Sequence, residues 1–271
     1  MLIDNKFLRL KEIISKMGSV LIAFSGGVDS TFLLKAALLV LPEDKVLAIT
    51  ANSATYPREE LICARKTAYG LEVRHKVIQT HELNDKRFLL NPAKRCYFCK
   101  SELFSRLKKE ARKAGLNFVL DATNASDKKD FRPGAMAKNR FKIRSPLEEA
   151  GITKKEIRVL SRRLGLSSWD KPSLACLASR IPYGRKITPG LLKRIEQAES
   201  YLKRMGFKQV RVRDYDGFCR IEVDGQNIPR IMHKRNLVVE KLKGLGYNYI
   251  TLDLEGYRTG SLNEVLRAGK E

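Results

Sequence analysis

The sequence predicts an α/β fold, with a parallel-sheet domain over residues 1–165 followed by a smaller α+β domain over residues 166–271. Three observations predict it. Short apolar runs alternate with helical stretches along the first part of the chain, the pattern of a parallel sheet covered on both faces. One of those runs ends directly in Ser25-Gly26-Gly27, a turn that opens a helix. The last hundred residues instead read helix, two strands about an Asp216-Gly217 turn, helix and strand.

Taken in order, Val20 to Phe24 is a short apolar strand, and the stretch from about Ser30 to Leu41 is helical. Lys45 to Thr50 reads as a second strand, Pro57 to Tyr69 as a helix and Glu72 to Ile78 as a third strand. Lys100 to Ala114 is strongly helical, and Phe118 to Ala122 is an apolar strand that runs into the polar loop Thr123 to Asp127. Ligands of such sheets bind at the carboxyl ends of the strands. In the second domain Thr188-Pro189 has the form of an N-cap followed by proline, opening a helix to about Met205. Gln209 to Tyr215 and Phe218 to Asp224 alternate apolar and polar residues. Their turn pairs Arg213 with Arg220 and Arg211 with Glu222 on a polar face, with Cys219, Ile221 and Val223 on the apolar one. One helix from about Pro229 to Leu245 and a strand from Tyr249 to Leu254 complete the order.

Hydrophobic residues make up 43% of the 271, enough to build a core and exclude a disordered chain. The amphipathic start carries charges throughout and lacks an apolar h-region, and no apolar run is long enough to span a bilayer. A cytoplasmic protein with no membrane association is expected. Lys and Arg number 53 against 30 Asp and Glu, an excess of 23 that favours polyanionic partners, either nucleic acid or phosphorylated small molecules. The basic residues are spread along the chain, so a solvated basic surface accounts for the charge equally well.

The most specific feature is Ser25-Gly26-Gly27-Val28-Asp29-Ser30, set between strand and helix. Glycines let backbone N–H groups turn onto an anion, and the helix N-terminus adds its dipole. Ser25 and Ser30 add hydroxyl donors. The loop lacks the Gly-Lys-Ser/Thr ending of the Walker loop and is not a Gly-x-Gly-x-x-Gly dinucleotide turn. It resembles the PP-loop ATP pyrophosphatases (adenine nucleotide alpha hydrolase-like), matching their Ser-Gly-Gly-x-Asp-Ser signature at every fixed position. That resemblance implies ATP bound through its β- and γ-phosphates, Mg²⁺ bridging them, and cleavage at the α-phosphate with release of pyrophosphate. Asp29 is then a metal ligand or a loop organiser.

Five cysteines without a secretion signal argue against a disulfide framework. Cys96-Tyr97-Phe98-Cys99, read as lying just before a helix, has a spacing that serves zinc, iron–sulfur clusters or dithiol redox chemistry. Cys176 lies in Lys171 to Gly184. His75, His81 and His233 are scattered, and Cys63 and Cys219 read as structural. With Cys176, the pair makes three thiols, a set suited to a [4Fe-4S] cluster with one iron left for a hydrosulfide.

Segments along nearly the whole chain are similar to the LarE family of sulfur transferases, which build the nickel-pincer nucleotide cofactor. They are Ser25 to Ser30, Cys96 to Cys99, Asp130-Phe131-Arg132-Pro133-Gly134, Ser145-Pro146-Leu147, Lys171 to Gly184 and Gly256 to Ser261. The resemblance implies adenylylation of a pyridinium-3,5-dicarboxylate mononucleotide, a nicotinate-derived substrate, and replacement of carboxylate oxygen by sulfur at two positions. It also implies other nickel-pincer biosynthesis proteins as partners and a homo-oligomer, a hexamer. Some members of the family sacrifice the sulfur of a cysteine matching Cys176. Others hold a cluster on three cysteines, and the presence of Cys96 and Cys99 favours that type here. Arg211, Arg213 and Arg258 match positions expected to hold the mononucleotide phosphate. Ala51 and Ser53 match the adenosine region, Arg58 is placed to reach the ATP or adenylate phosphates, and Thr123, Asn124 and Asp127 suit nucleotide or Mg²⁺ contacts. Glu199 is a further candidate for the active-site side.

Other readings of the same loop are a tRNA thiolase, which the charge suits but which has extra zinc pairs this chain lacks, and amidating synthetases, which need no three cysteines. A basic RNA-binding module with a zinc clip would not cleave ATP. Nucleic acid is therefore not expected as a partner.

Overall fold

The computed structural model describes residues 2–129, 133–172, 175–258 and 260–264. Among the residues singled out above, Asp130, Phe131, Arg132, Ser173, Leu174 and Thr259 lie outside the described residues.

The chain runs through α1 (Ile3–Ser15), β1 (Val20–Ala23), α2 (Val28–Leu38), β2 (Val46–Asn52), α3 (Arg58–Gly70) and β3 (His75–Gln79). It continues with α4 (Lys86–Leu89), α5 (Arg95–Lys113), β4 (Phe118–Leu120), α6 (Gly134–Arg140), α7 (Pro146–Glu149) and α8 (Lys154–Arg163). Last come α9 (Pro189–Arg204), β5 (Val210–Asp214), β6 (Phe218–Val223), α10 (Ile228–His233), α11 (Arg235–Gly244) and β7 (Tyr249–Leu252). Two compact units result. One is Met1–Asp85 with Lys94–Leu174, the other Lys86–Ala93 with Ala175–Glu271.

In the first unit a four-stranded sheet has the order β3-β2-β1-β4, and every pairing is parallel. Successive residues of a strand face opposite sides. Val20 and Ile22 join α1, α2, α3 and α8 in one apolar cluster, while Leu21, Leu47 and Ile49 join α5 and α6 in another. Both faces are therefore covered, as continuous apolar strands require. The strands being parallel, the loops after β1, β2 and β4 leave the same edge of the sheet. The third strand starts three residues later than the sequence suggested, because Glu72 takes a left-handed φ of 52° in the turn before it.

The second unit is built on a three-stranded sheet of order β5-β6-β7, antiparallel between β5 and β6 and parallel between β6 and β7. Thr188 caps α9, its Oγ1 accepting the Leu191 N–H at 3.2 Å, with proline in the first turn. The β5–β6 turn is centred on Asp216 and Gly217, both at positive φ (64° and 81°), the conformation a two-residue hairpin loop needs. Its register pairs Arg213 with Arg220 and Arg211 with Glu222 as expected. Cys219, Ile221 and Val223 join α9 and α11 in the core.

Three expectations are corrected here. The helix foreseen from Pro229 to Leu245 is two helices, because the backbone at Lys234 leaves helical geometry (φ −93°, ψ 13°). The Cys-x-x-Cys lies inside the first turns of α5, since the helix starts at Arg95 rather than near Lys100. On the hairpin's polar face Arg213 and Glu222 are buried, at 1% and 0% exposure, because residues of the segments 177–180 and 261–263 cover them. Lys86–Ala93, which the linear reading assigned to the first domain, belongs to the second unit. There the Asn91 side chain donates to the carbonyls of Ile181 (3.2 Å) and Pro182 (2.7 Å), and the Ile187 N–H donates to Leu89 O (2.8 Å).

Candidate functional site

The loop between β1 and α2 is held by its own hydroxyls. Ser30 Oγ donates to Gly27 O at 3.2 Å and accepts the Ser25 N–H at 3.2 Å. Ser25 Oγ lies 3.0 Å from Ser30 Oγ and accepts the Gly27 N–H at 3.3 Å. With the Ser30 proton on Gly27, Ser25 is the donor to Ser30. Both hydroxyl protons therefore serve the loop, and the groups left to receive an anion are backbone N–H groups of the first turn of α2, which have no intrahelical partner. Gly26 has φ +67°, and a Cβ there would lie 2.7 Å from Ala64 Cα on α3, so the position admits no side chain. Gly27 is the N-cap of α2, and Val28 anchors its first turn in the core.

Asp29, in that first turn, is held on one side only. Its Oδ2 accepts Lys154 Nζ at 2.6 Å, while Oδ1 is buried with no hydrogen-bond partner. Burial pushes the Asp29 carboxyl above its usual range; Lys154 pulls it down and the nearby Asp127 adds to the rise. A buried carboxylate oxygen without a partner, with a second carboxylate close by, is a donor set that fits a hard divalent cation.

At the same edge of the sheet, Ala51 lies near the end of β2 and Ser53 just beyond it. Buried Glu82 accepts the hydroxyls of Ser53 and Thr55, the latter at 2.9 Å, and Ser53 Oγ in turn accepts the Thr55 N–H at 3.0 Å. Ser53 gives its proton to Glu82, so its side chain shapes the loop into α3. Arg58 is exposed at the first residue of α3. After β4, Thr123 donates through N–H (3.2 Å) and hydroxyl (2.8 Å) to buried Asp121, and Asp127 Oδ2 accepts the Asn124 N–H at 3.0 Å.

Cys96 is exposed and Cys99 half-buried, three residues apart and thus on one face of α5. Cys176 belongs to the second unit, where it caps the 3-10 turn Leu177–Arg180 and is half-buried. Within neither unit do three His, Cys, Asp or Glu side chains converge among the described residues.

In the second unit two guanidiniums hold the Cys176 turn. Arg180 donates to the carbonyls of Ala175 (2.9 Å) and Cys176 (3.3 Å), and its other nitrogens meet Glu199. Arg213 donates to Ser179 O at 2.6 Å, to both oxygens of Glu222 (2.7 and 3.1 Å) and to Ser261 Oγ (2.7 Å). Arg213 is thus held through all three of its side-chain nitrogens inside the protein. Arg211 donates to Tyr257 Oη at 2.7 Å and lies 4.3 Å from that ring's centroid; burial lowers its pKa. Arg258 pairs with Glu255 (2.7 Å) and Glu264 (2.9 Å) and is one-third exposed. Glu199 is buried at 2% exposure, an anchor within the fold.

Sequence reasoning missed Lys154, Arg180 and Lys171. Lys171 Nζ reaches Glu60 (2.9 Å), Cys63 Sγ (3.1 Å) and the Gly26 carbonyl (3.3 Å), bracing the back of the glycine loop. Burial opposes its charge, but the hydrogen bonds and attraction of Glu60 and Cys63 together outweigh it and raise the pKa. Lys171 and Arg180 lie within the Lys171 to Gly184 segment singled out from the sequence; nothing local marks Lys154.

No helix among the described residues is long and apolar enough to cross a membrane. No protein-family model matches the chain. It is 43% identical to an uncharacterised protein of Synechocystis sp. over 98% of this chain and 99% of that one. An uncharacterised protein of Methanocaldococcus jannaschii is 30% identical over 94% of this chain and 98% of its own length. The pyridinium-3,5-bisthiocarboxylic acid mononucleotide synthase of Lactiplantibacillus plantarum is 37% identical over 91% of this chain and 90% of its own. With that identity sustained along almost the full length of both chains, the protein belongs to the LarE family, that of the pyridinium-3,5-bisthiocarboxylic acid mononucleotide synthases.

Proposed function

We propose that this chain is an ATP-dependent sulfur transferase that converts the carboxylates of a pyridinium-3,5-dicarboxylate mononucleotide to thiocarboxylates. The observation that carries the reading is the Ser25–Ser30 loop, a preformed anion cradle with the unpartnered oxygen of Asp29 beside it, in a chain 37% identical to a synthase of the bisthiocarboxylic product.

The chemistry divides into two displacements. A substrate carboxylate oxygen attacks the α-phosphorus of ATP, the bond from that phosphorus to the bridging oxygen breaks, and pyrophosphate leaves. Backbone N–H groups at the start of α2 stabilise the charge that builds on pyrophosphate, fixed in place before the reaction by the Ser25–Ser30 hydrogen bonds. Asp29, with Asp127 near, would hold Mg²⁺, which would supply positive charge against that of the phosphates. A sulfur nucleophile then attacks the acyl carbon, the carbon–sulfur bond forms, and AMP leaves with the former carboxylate oxygen. Arg211 and Arg258 grip the substrate phosphate, and Arg180 and Arg213 hold the Cys176 turn through its carbonyls. A [4Fe-4S] cluster ligated by Cys96, Cys99 and Cys176 would supply hydrosulfide from its iron without a protein ligand. The resemblance further implies a homo-oligomer, a hexamer, working among other nickel-pincer biosynthesis proteins.

A second reading is favoured by one observation: Arg180 holds the Cys176 carbonyl and so fixes the turn that carries the thiol. In it, Cys176 Sγ itself attacks the acyl-adenylate and displaces AMP. Elimination then breaks the Cβ–Sγ bond, leaving dehydroalanine and the thiocarboxylate.

Incubation with ATP, Mg²⁺ and the dicarboxylate mononucleotide tests the common step. AMP and pyrophosphate formed only with substrate support it; ADP and inorganic phosphate contradict it. Iron and acid-labile sulfide after anaerobic purification separate the two sulfur sources. Iron lost in Cys96→Ala and Cys176→Ala supports the cluster, and a Cys176 lighter by one H₂S after turnover supports the sacrificial route.

A further inference from the structure

β5 turns Arg211 and Arg213 to one side and Val212 and Asp214 to the other, since successive strand residues alternate. Asp214 is fully buried and anchors two further arginines. One is Arg185; the other is Arg194, whose Nε and Nη2 reach Asp214 Oδ2 at 3.0 and 2.6 Å. Both arginines line a cavity of about 530 Å³ that lies wholly within the second unit. Helical spacing supplies another wall. Gly190, Lys193, Arg194 and Gln197 recur at intervals of three and four on one face of α9, opposite buried Leu192 and Ile195. Lys186 joins them from the loop before the helix. Lys186 and Lys193 are exposed and form no ion pair among the described residues.

Among the described residues no carboxylate lines the cavity. Its four cations share only buried Asp214 and, through Arg185 at 3.1 Å, exposed Asp216, so positive charge is left over. Donors stand beside it. Thr188 Oγ1 accepts the Leu191 N–H and keeps its own proton to give, and no atom lies within 4 Å of where a Gly190 Cβ would stand. Leu191 and Leu245 add an apolar wall. We propose that this cavity binds the phosphomonoester of a small, ring-bearing molecule, at a site apart from the glycine loop and from Arg211. A dianionic phosphate meets the excess charge, with Lys186 and Lys193 closing on it while Arg185 and Arg194 stay on Asp214, whose buried charge needs them. The ring lies against the two leucines. The volume is that of a small-molecule site, and a concave wall of this size suits a compact ligand better than an extended nucleic-acid backbone.

Protection of lysines from acetic anhydride, mapped by peptide mass spectrometry over a titration with phenyl phosphate, tests it on the full chain. Phenyl phosphate should slow acetylation of Lys186 and Lys193 while exposed Lys109, on α5, reacts as before. In Lys186→Gln, a surface change that should melt as the wild type does, half-protection of Lys193 should need at least about tenfold more phenyl phosphate. Inorganic phosphate, which has no ring to bury, should protect at least about fivefold more weakly than its phenyl ester. Lys186 and Lys193 left unprotected, or an unchanged half-protection concentration in Lys186→Gln, would overturn the proposal. So would equal protection by phosphate and its phenyl ester, which would reduce the cavity to a patch that any small anion meets. A short single-stranded RNA that protects both lysines at lower concentration than phenyl phosphate would overturn it in favour of nucleic acid. None of these readouts depends on the glycine loop binding ATP.

Discussion

Glu199 clasps Arg180 through both carboxylate oxygens, at 2.7 and 2.9 Å, and its Oε1 also accepts the Val212 N–H at 3.0 Å. The same Arg180 holds the carbonyls of Ala175 and Cys176, and Val212 lies between Arg211 and Arg213 on β5. One buried ion pair thus ties the Cys176 turn to the strand that carries the arginines. Burial works against the charge of Arg180, but Glu199, with smaller contributions from Cys176 and Tyr257, outweighs it and raises its pKa.

Removing one member of that pair leaves the other charged and unpartnered in the interior. Glu199→Ala should destabilise the second unit by about 3–5 kcal/mol. Urea denaturation followed by far-UV circular dichroism checks it. A loss under about 1 kcal/mol, the range of exposed pairs, would contradict the role.

Gly26→Ala places a Cβ 2.7 Å from Ala64 Cα while forcing a left-handed φ of +67° on a residue that disfavours it by about 1–2 kcal/mol. The loop must shift to relieve both, so Mg²⁺-ATP affinity should fall by at least about tenfold with the rest of the fold kept. Fluorescence titration with a labelled ATP analogue checks it; wild-type affinity would show the loop is not the cradle.

Asp29 sets function against stability. Its carboxyl is pushed above the usual range by burial, so the folded state favours the protonated form. That preference stabilises the fold below the unfolded pKa and is lost as pH rises through the folded pKa, leaving a desolvated charge at neutral pH. Asp29→Asn removes that charge. It should melt no lower than the wild type at pH 7 while forming no AMP, and differential scanning calorimetry with an AMP assay checks both. A lower melting temperature would mean that the Lys154 contact outweighs the burial.

The two strand arginines should separate. Arg213→Ala strips fully buried Glu222 of its bidentate partner, leaving Arg220 on one oxygen at 3.1 Å, and should lower stability by about 1–3 kcal/mol. Arg211→Ala should leave stability nearer the wild type and weaken mononucleotide binding more than ATP binding. Melting curves beside calorimetric titrations check the pair; equal effects of the two changes would contradict the division.

What the sequence made legible was local. The strand, glycine turn and helix from Val20 to Leu38, the Thr188 cap and the Asp216-Gly217 hairpin each follow from neighbours within a few residues. The hairpin register was legible because period-two alternation leaves one choice of face. What covers that face was not, because Ser179 and Ser261 reach Arg213 from 34 and 48 residues away. Alternation marks a side as polar; only tertiary packing decides whether it meets water. The same holds for Lys154, one lysine among many basic residues until the fold sets it on Asp29, and for Arg180, whose partner lies 19 residues on. The start of α5 was misplaced because aromatic and cysteine residues at 96–99 are weak helix formers and gave no local signal of the helix.

The most direct test is mass spectrometry of the substrate. The anaerobically purified protein is incubated with ATP, Mg²⁺ and the pyridinium-3,5-dicarboxylate mononucleotide. The account predicts a product heavier by a sulfur-for-oxygen exchange, formed only when ATP is present and yielding AMP in step. Substrate recovered unchanged while ATP is cleaved, or sulfur incorporated without ATP, would contradict it.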